Sequence, residues 1–188
     1  MFNNQHEDSI YYFTKAIKLN PFFVEAMFNN AVSHLEIGDV AGHLTWLSEI
    51  VEIGDKEDGI VIQAIARLDE MDDVIRESHG IDLHSYIKNA KRFKFAQEKM
   101  EVCQWDKAID IFKSLLKKTP DIPSIWNNLA ICYANQGEKE KALMYSKKAL
   151  EIEEDYKPAR VNLSLIERMV EGVPLASKTH WAFGRNID

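Results

Sequence analysis

Six histidines, two cysteines and several acidic pairs are the side chains in this 188-residue sequence with chemistry to offer. Metal binding on a helix needs two imidazoles at i, i+4 on one face. His79 and His84 are the nearest pair, but Gly80 lies between them and their spacing puts them on no common face. His6, His34, His43 and His180 stand alone. Cys103 and Cys132 fall in separate apolar patterns without a CxxC or Cys/His pairing, so both read as small packing residues, not nucleophiles, bridge partners or zinc ligands. Asp69-Glu70 and Asp72-Asp73 have the composition of a solvated helix face, and there is no glycine-rich phosphate loop. No catalytic residue, metal or cofactor is therefore expected, and the chain is read as a non-enzyme.

Charge narrows the class of partner. The net charge of −7 argues against nucleic acid. Its distribution is uneven: Glu49 to Asp82 holds eleven acids and three bases, Lys88 to Lys118 nine bases and four acids. Solvated faces account for both runs, and Lys88, Lys91, Arg92, Lys94 and Lys99 also suit the steering of an acidic peptide. With 46% hydrophobic residues the chain is globular, and no apolar run reaches the roughly 18 residues of a membrane span. Nor does the N-terminus have the basic flank and apolar stretch of a secretory signal. A cytoplasmic location and no membrane partner are expected.

The elements that must position any site are helices. Apolar residues recur at helical period, as in Ile125, Leu129, Cys132 and Tyr133, and no strand-like alternation is sustained. Nine helices are predicted, over 4–19, 22–37, 40–53, 57–79, 83–102, 105–118, 122–135, 139–152 and 156–171. Pro21 and Pro120 end helices by disfavouring the helical conformation of the residue before them. Gly38, Gly80 and Gly137 can take the left-handed conformation that closes one, and Asp82 can cap the next.

The chain repeats itself. A shift of 34 residues lays Lys107 on Lys141, Ala108 on Ala142, Asn128 on Asn162 and Leu129 on Leu163. Residues 122–156 resemble the tetratricopeptide repeat (TPR) family: Trp126, Leu129, Ala130 and Tyr133 match its first helix, Gly137 the turn, and Ala142 and Ala149 its second helix. Small Ala130 and Ala142 let two helices approach closely. Trp105, Ala108, Phe112 and Pro120 continue the pattern upstream, and 157–171 resembles a capping first helix. Residues 4–21 are similar to a second helix, and 24–55 to a degenerate repeat in which His34 and His43 replace an aromatic and an alanine. Ala16 and Ala149 play equivalent roles 133 residues apart, three short of a whole number of periods. That deficit, with the stripe Val61, Ala64, Ile65, Leu68, Met71 and Ile75, predicts one long irregular helix in place of a pair.

The resemblance implies an all-α, right-handed TPR-like solenoid. Its expected parts are an N-terminal half 1–55, an acidic connecting helix 56–82, a C-terminal array 83–171 and a tail 172–188. It further implies a non-catalytic scaffold or adaptor whose first helices line a concave groove for an extended peptide or partner helix. The lining positions are Phe93, Lys94, Gln97, Asn127, Asn128, Ile131, Asn135, Asn162 and Leu165. Side-chain amides suit this role because each offers a donor and an acceptor to a peptide backbone. The family's carboxylate clamp is disfavoured: Asn128 matches one position, but Phe93, Gln97, Pro158 and Asn162 stand where other polar or basic groups are needed. The alternative is self-assembly into a homodimer through Phe2, Ile10, Phe13 and Ile17, a spacing that packing within the chain also explains. Val173, Leu175, Trp181 and Phe183 make the tail a candidate for docking on the repeats.

Overall fold

The computed structural model describes residues 2–175, with side chains from residue 5 onward. The side chain of Phe2, and His180, Trp181 and Phe183, lie outside the described residues. Within them the protein is all-α, with nine helices: α1 (Phe2–Leu19), α2 (Val24–Glu36), α3 (Val40–Ile53), α4 (Gly59–His79), α5 (Leu83–Glu101), α6 (Trp105–Leu116), α7 (Pro123–Asn135), α8 (Lys139–Ile152) and α9 (Lys157–Glu167). The predicted helices all form. The largest difference is at the end of α9, where Arg168 closes the helix short of the expected boundary.

The chain divides into two compact units, Met1–Lys88 and Asn89–Asp188, with the boundary inside α5. In the first unit, Ile17, Ala26, Met27, Ala31, Leu47, Ile50, Val61 and Ala64 form one core, against which Phe13 and Ala16 pack. The α1 face carrying Phe13 and Ile17 is thus turned inward. A second core joins Leu44, Ile75 and Tyr86, flanked by Leu68 and Met71. The long helix α4 therefore serves two cores with a single stripe. Local polar contacts fix where helices begin: Asp39 accepts from the Gly42 N–H at 2.8 Å, Asp58 from Ile60 at 2.7 Å and Asp82 from Ser85 at 2.7 Å. Asp72 of α4 accepts from the Leu83 N–H at 2.7 Å, tying down the start of α5. Each of these bonds satisfies a donor that a helix N-terminus leaves without an intrahelical partner.

In the second unit, α6–α7 and α8–α9 meet around Phe112, Leu115, Ile125, Leu129, Ala130, Ala142, Ala149 and Ile166, all fully buried. Ala130 of α7 and Ala142 of α8 are both fully buried, and the two helices pack against each other. The turn glycines have positive φ, 77° at Gly38, 66° at Gly80 and 83° at Gly137. One repeat before Gly137, the equivalent place is held by Cys103 at φ 59°. Cys103 is exposed and closes a helix in a conformation that disfavours a Cβ, so it is not a packing residue; Cys132 is. Past α9 the chain turns back on its own unit. Lys139 Nζ donates to the carbonyls of Glu167 at 2.8 Å and Met169 at 2.6 Å. The Gly172 N–H donates to the Gly137 carbonyl at 2.9 Å and the Leu175 N–H to the Ala134 carbonyl at 3.2 Å.

Candidate peptide-binding surface

Helix α7 is the centre of the predicted site, and ten of its residues are buried. One stripe, Trp126 and Tyr133, meets Tyr145 of α8, with ring centroids 5.8 and 5.2 Å apart and the two tyrosines stacked. Ile125, Leu129 and Cys132 form a second apolar stripe. The third carries Ser124, Asn127, Asn128, Ile131 and Ala134, roughly 100° per residue placing them together on the remaining side.

The predicted lining residues meet different fates. Asn127 and Asn162 come together, the Asn162 Nδ2 donating to Asn127 Oδ1 at 2.8 Å, and neither exposes any surface. Asn128 and Ile131 are likewise fully buried. Both amide atoms of Asn128 lack a hydrogen-bond partner, which costs free energy in a buried site. Asn135 is turned back on its own helix, donating to the Ile131 carbonyl at 2.8 Å. Phe93 is a core side chain, 2% exposed and edge-on to Phe112 with centroids 5.5 Å apart, so it presents no open lining. Lys94 is exposed; Gln97 and Leu165 are half-buried.

Beside Tyr133 lie two ammonium groups, Lys113 at 5.5 Å and Lys141 at 5.2 Å from the ring centroid. Bonding to the Tyr133 side chain raises Lys113 above its ordinary range, and bonding to Glu138 does the same for Lys141. Burial, followed by Tyr133, raises Tyr145. These groups keep their ordinary charge states at neutral pH, as does Cys132, whose thiol burial pushes up. Such shifts oppose proton transfer, and no group of three or more metal-ligating side chains occurs among the described residues.

The first unit carries a feature that the sequence reading passes over. A cleft of about 410 Å³ is lined by Phe28, Val32 and Leu35 of α2, His43 and Leu47 of α3, and Arg67 of α4, among others. Phe28, Val32 and Leu35 are spaced i, i+4, i+7, a second apolar stripe on α2 beside its core stripe, and that spacing is the signal that was available. His43 Nδ1 donates to the Ala31 carbonyl at 2.9 Å, and burial holds its pKa below the ordinary imidazole value. The neighbouring His34 donates to Asp39 at 2.8 Å.

No helix among the described residues is long and apolar enough to cross a membrane. Two relatives are both named peroxisomal targeting signal receptor. The Saccharomyces cerevisiae protein is 25% identical over 87% of this chain, and the Candida albicans protein 29% identical over 80%. The chain spans only 28% and 27% of their lengths. Among solved structures, a Thermus thermophilus TPR protein is similar with a TM-score of 0.43 and 21% identity, over 87% of this chain and 91% of that one. Tetratricopeptide repeat family models match residues 1–58 and 123–156, one in each compact unit. With helix pairs closed by left-handed turn residues and small side chains at their crossings, the chain carries tetratricopeptide repeats in both compact units.

Proposed function

We propose that this chain is a cytoplasmic adaptor that binds an extended peptide on the third stripe of α7, with α9 and the second-unit part of α5 beside it. The observation that carries this reading is the set of amides on one face: the Asn127–Asn162 pair and the buried Asn128, whose donor and acceptor are both unused. A peptide backbone supplies the complementary groups at every residue. Lys94, exposed on α5, supplies positive charge, favouring a weakly acidic ligand. The name of the two fungal relatives supports a targeting peptide as the ligand class, and a terminal Ser-Lys-Leu is such a signal. Two free thiols, one of them exposed, fit a reducing compartment.

The test is fluorescence anisotropy with labelled extended peptides, one ending in Ser-Lys-Leu and one acidic. Replacing both Asn128 and Asn162 by Ala should weaken binding of the better probe about tenfold or more, with helicity by circular dichroism unchanged. Unchanged affinity in that variant, or binding abolished instead by Leu47→Ala, would move the site away from α7.

A second reading, self-association, is favoured by one observation. Leu19 is 89% and Phe22 72% exposed, with Tyr11 and Tyr12 also largely open, whereas Phe13 and Ile17 face the core. Sedimentation velocity decides it: a monomer across concentrations removes the dimer, while a dimer lost on Leu19→Ser/Phe22→Ser establishes it.

A further inference from the structure

The cleft between α2 and α4 in the first unit has two unlike walls. Phe28, Val32 and Leu35 make an apolar wall on α2, and Gln63, Arg67 and Glu70 make a polar wall on α4 at the same i, i+4, i+7 spacing. Each wall runs about 10 Å along its helix. Val32 is 39% and Leu35 43% exposed, so the apolar wall stands open. At about 410 Å³ the space has the size of a ligand pocket, not of a packing gap.

Between the walls sits His43, 6% exposed. Its Nδ1 meets the Ala31 carbonyl at 2.9 Å, and since a carbonyl only accepts, the ring proton is on Nδ1. Nε2 is then an acceptor. It bonds to none of the described residues, and it is not sealed in as the Asn30 and Asn128 amides are. Arg67 lies near enough for its charge to act on the same imidazole.

These features converge on one kind of side chain. A single acceptor among apolar groups suits a donor that carries no acceptor of its own to strand, which disfavours a phenol or hydroxyl and selects an indole N–H. The Arg67 guanidinium, held by Glu70 at 3.2 Å, places a cation at the mouth, and the face of an indole is the aromatic surface that attracts a cation best. We propose that this cleft is a docking site for a tryptophan presented by a partner peptide, its indole N–H donating to His43 Nε2 and its ring lying between Phe28 and Arg67. The polar wall commits the occupant to a peptide over a free indole: about 10 Å is the rise of about three extended residues, and Gln63 and Glu70 offer main-chain partners along it. The site lies wholly in the first unit and does not depend on the reading of α7.

The test is an NMR titration of the isotope-labelled full-length chain with three probes: N-acetyl-tryptophanamide, its analogue methylated on the indole nitrogen, and a capped Gly/Ser heptapeptide with one central tryptophan. Saturable shifts are expected at Phe28, Val32, Leu35 and His43. The methylated analogue, which has no N–H to give, should bind about tenfold more weakly, and the heptapeptide at least about tenfold more tightly than the amide. Val32→Asp/Leu35→Asp, at two exposed positions, should abolish the shifts. Ala66→Phe, which fills the cleft from an exposed position on α4, should do the same, with circular dichroism checking that each variant folds. Equal binding of the methylated analogue overturns the bond to His43 and the choice of tryptophan with it. A heptapeptide no tighter than the amide overturns the peptide as occupant. Shifts centred on α7, or no saturable shift with any probe, overturn the site itself.

Discussion

Asn30 and Asn128 have the same physical problem and different surroundings. Both are fully buried with neither amide atom hydrogen-bonded. Asn30 precedes the turn glycine Gly38 by the same eight residues that separate Leu129 from Gly137, so it occupies a core position that an apolar side chain fills in the other unit. Asn30→Leu should therefore raise the stability of the first unit by about 1 kcal/mol or more, read as a higher denaturation midpoint with unchanged cooperativity. Asn128 belongs to the third stripe of α7 instead, where the proposed peptide would offer its backbone to the amide. Residue types were legible in the sequence; which face of α7 ends up covered was not. Periodicity assigns a residue to a stripe, but the covering element comes from elsewhere in the chain. Phe93 illustrates the point, since its place on α5 gave no sign that Phe112 would claim its ring.

At the scale of elements the sequence was far more informative, because helix ends are decided locally. Gly38, Gly80 and Gly137 close helices with positive φ, and Asp82 caps α5, all through contacts within a few residues. Cys103 escaped detection for the same reason: only the repeat spacing, not its type, marks it as a turn residue. Gly137 does more than close α7. A Cβ there would lie 2.9 to 3.2 Å from the backbone of Gly172 and Val173, in addition to the left-handed strain. Gly137→Ala should thus cost about 2 kcal/mol in the second unit and release the returning segment 172–175, checked by thermal denaturation and by amide shifts of Gly172 and Leu175.

For the whole molecule, the two compact units should answer acid differently. His43 is in the first unit, and its folded-state pKa lies below the ordinary 6.5 because burial disfavours the imidazolium. The unfolded chain then binds the extra proton first, so stability is held above about pH 6.5 and falls as pH drops below it. Denaturant titrations at pH 7.5 and pH 5.5 should show the first unit losing stability, with His43→Gln flattening the dependence. The Lys139 contacts carry a consequence for cooperativity. A terminal helix ordinarily frays, its amides exchanging through small local openings. By gripping the carbonyls of Glu167 and Met169 from the start of α8, Lys139 ties α9 to the α7–α8 pair. Deuterium uptake should then find α9 opening together with α8 as one foldon, the last helix of the unit behaving as an interior one.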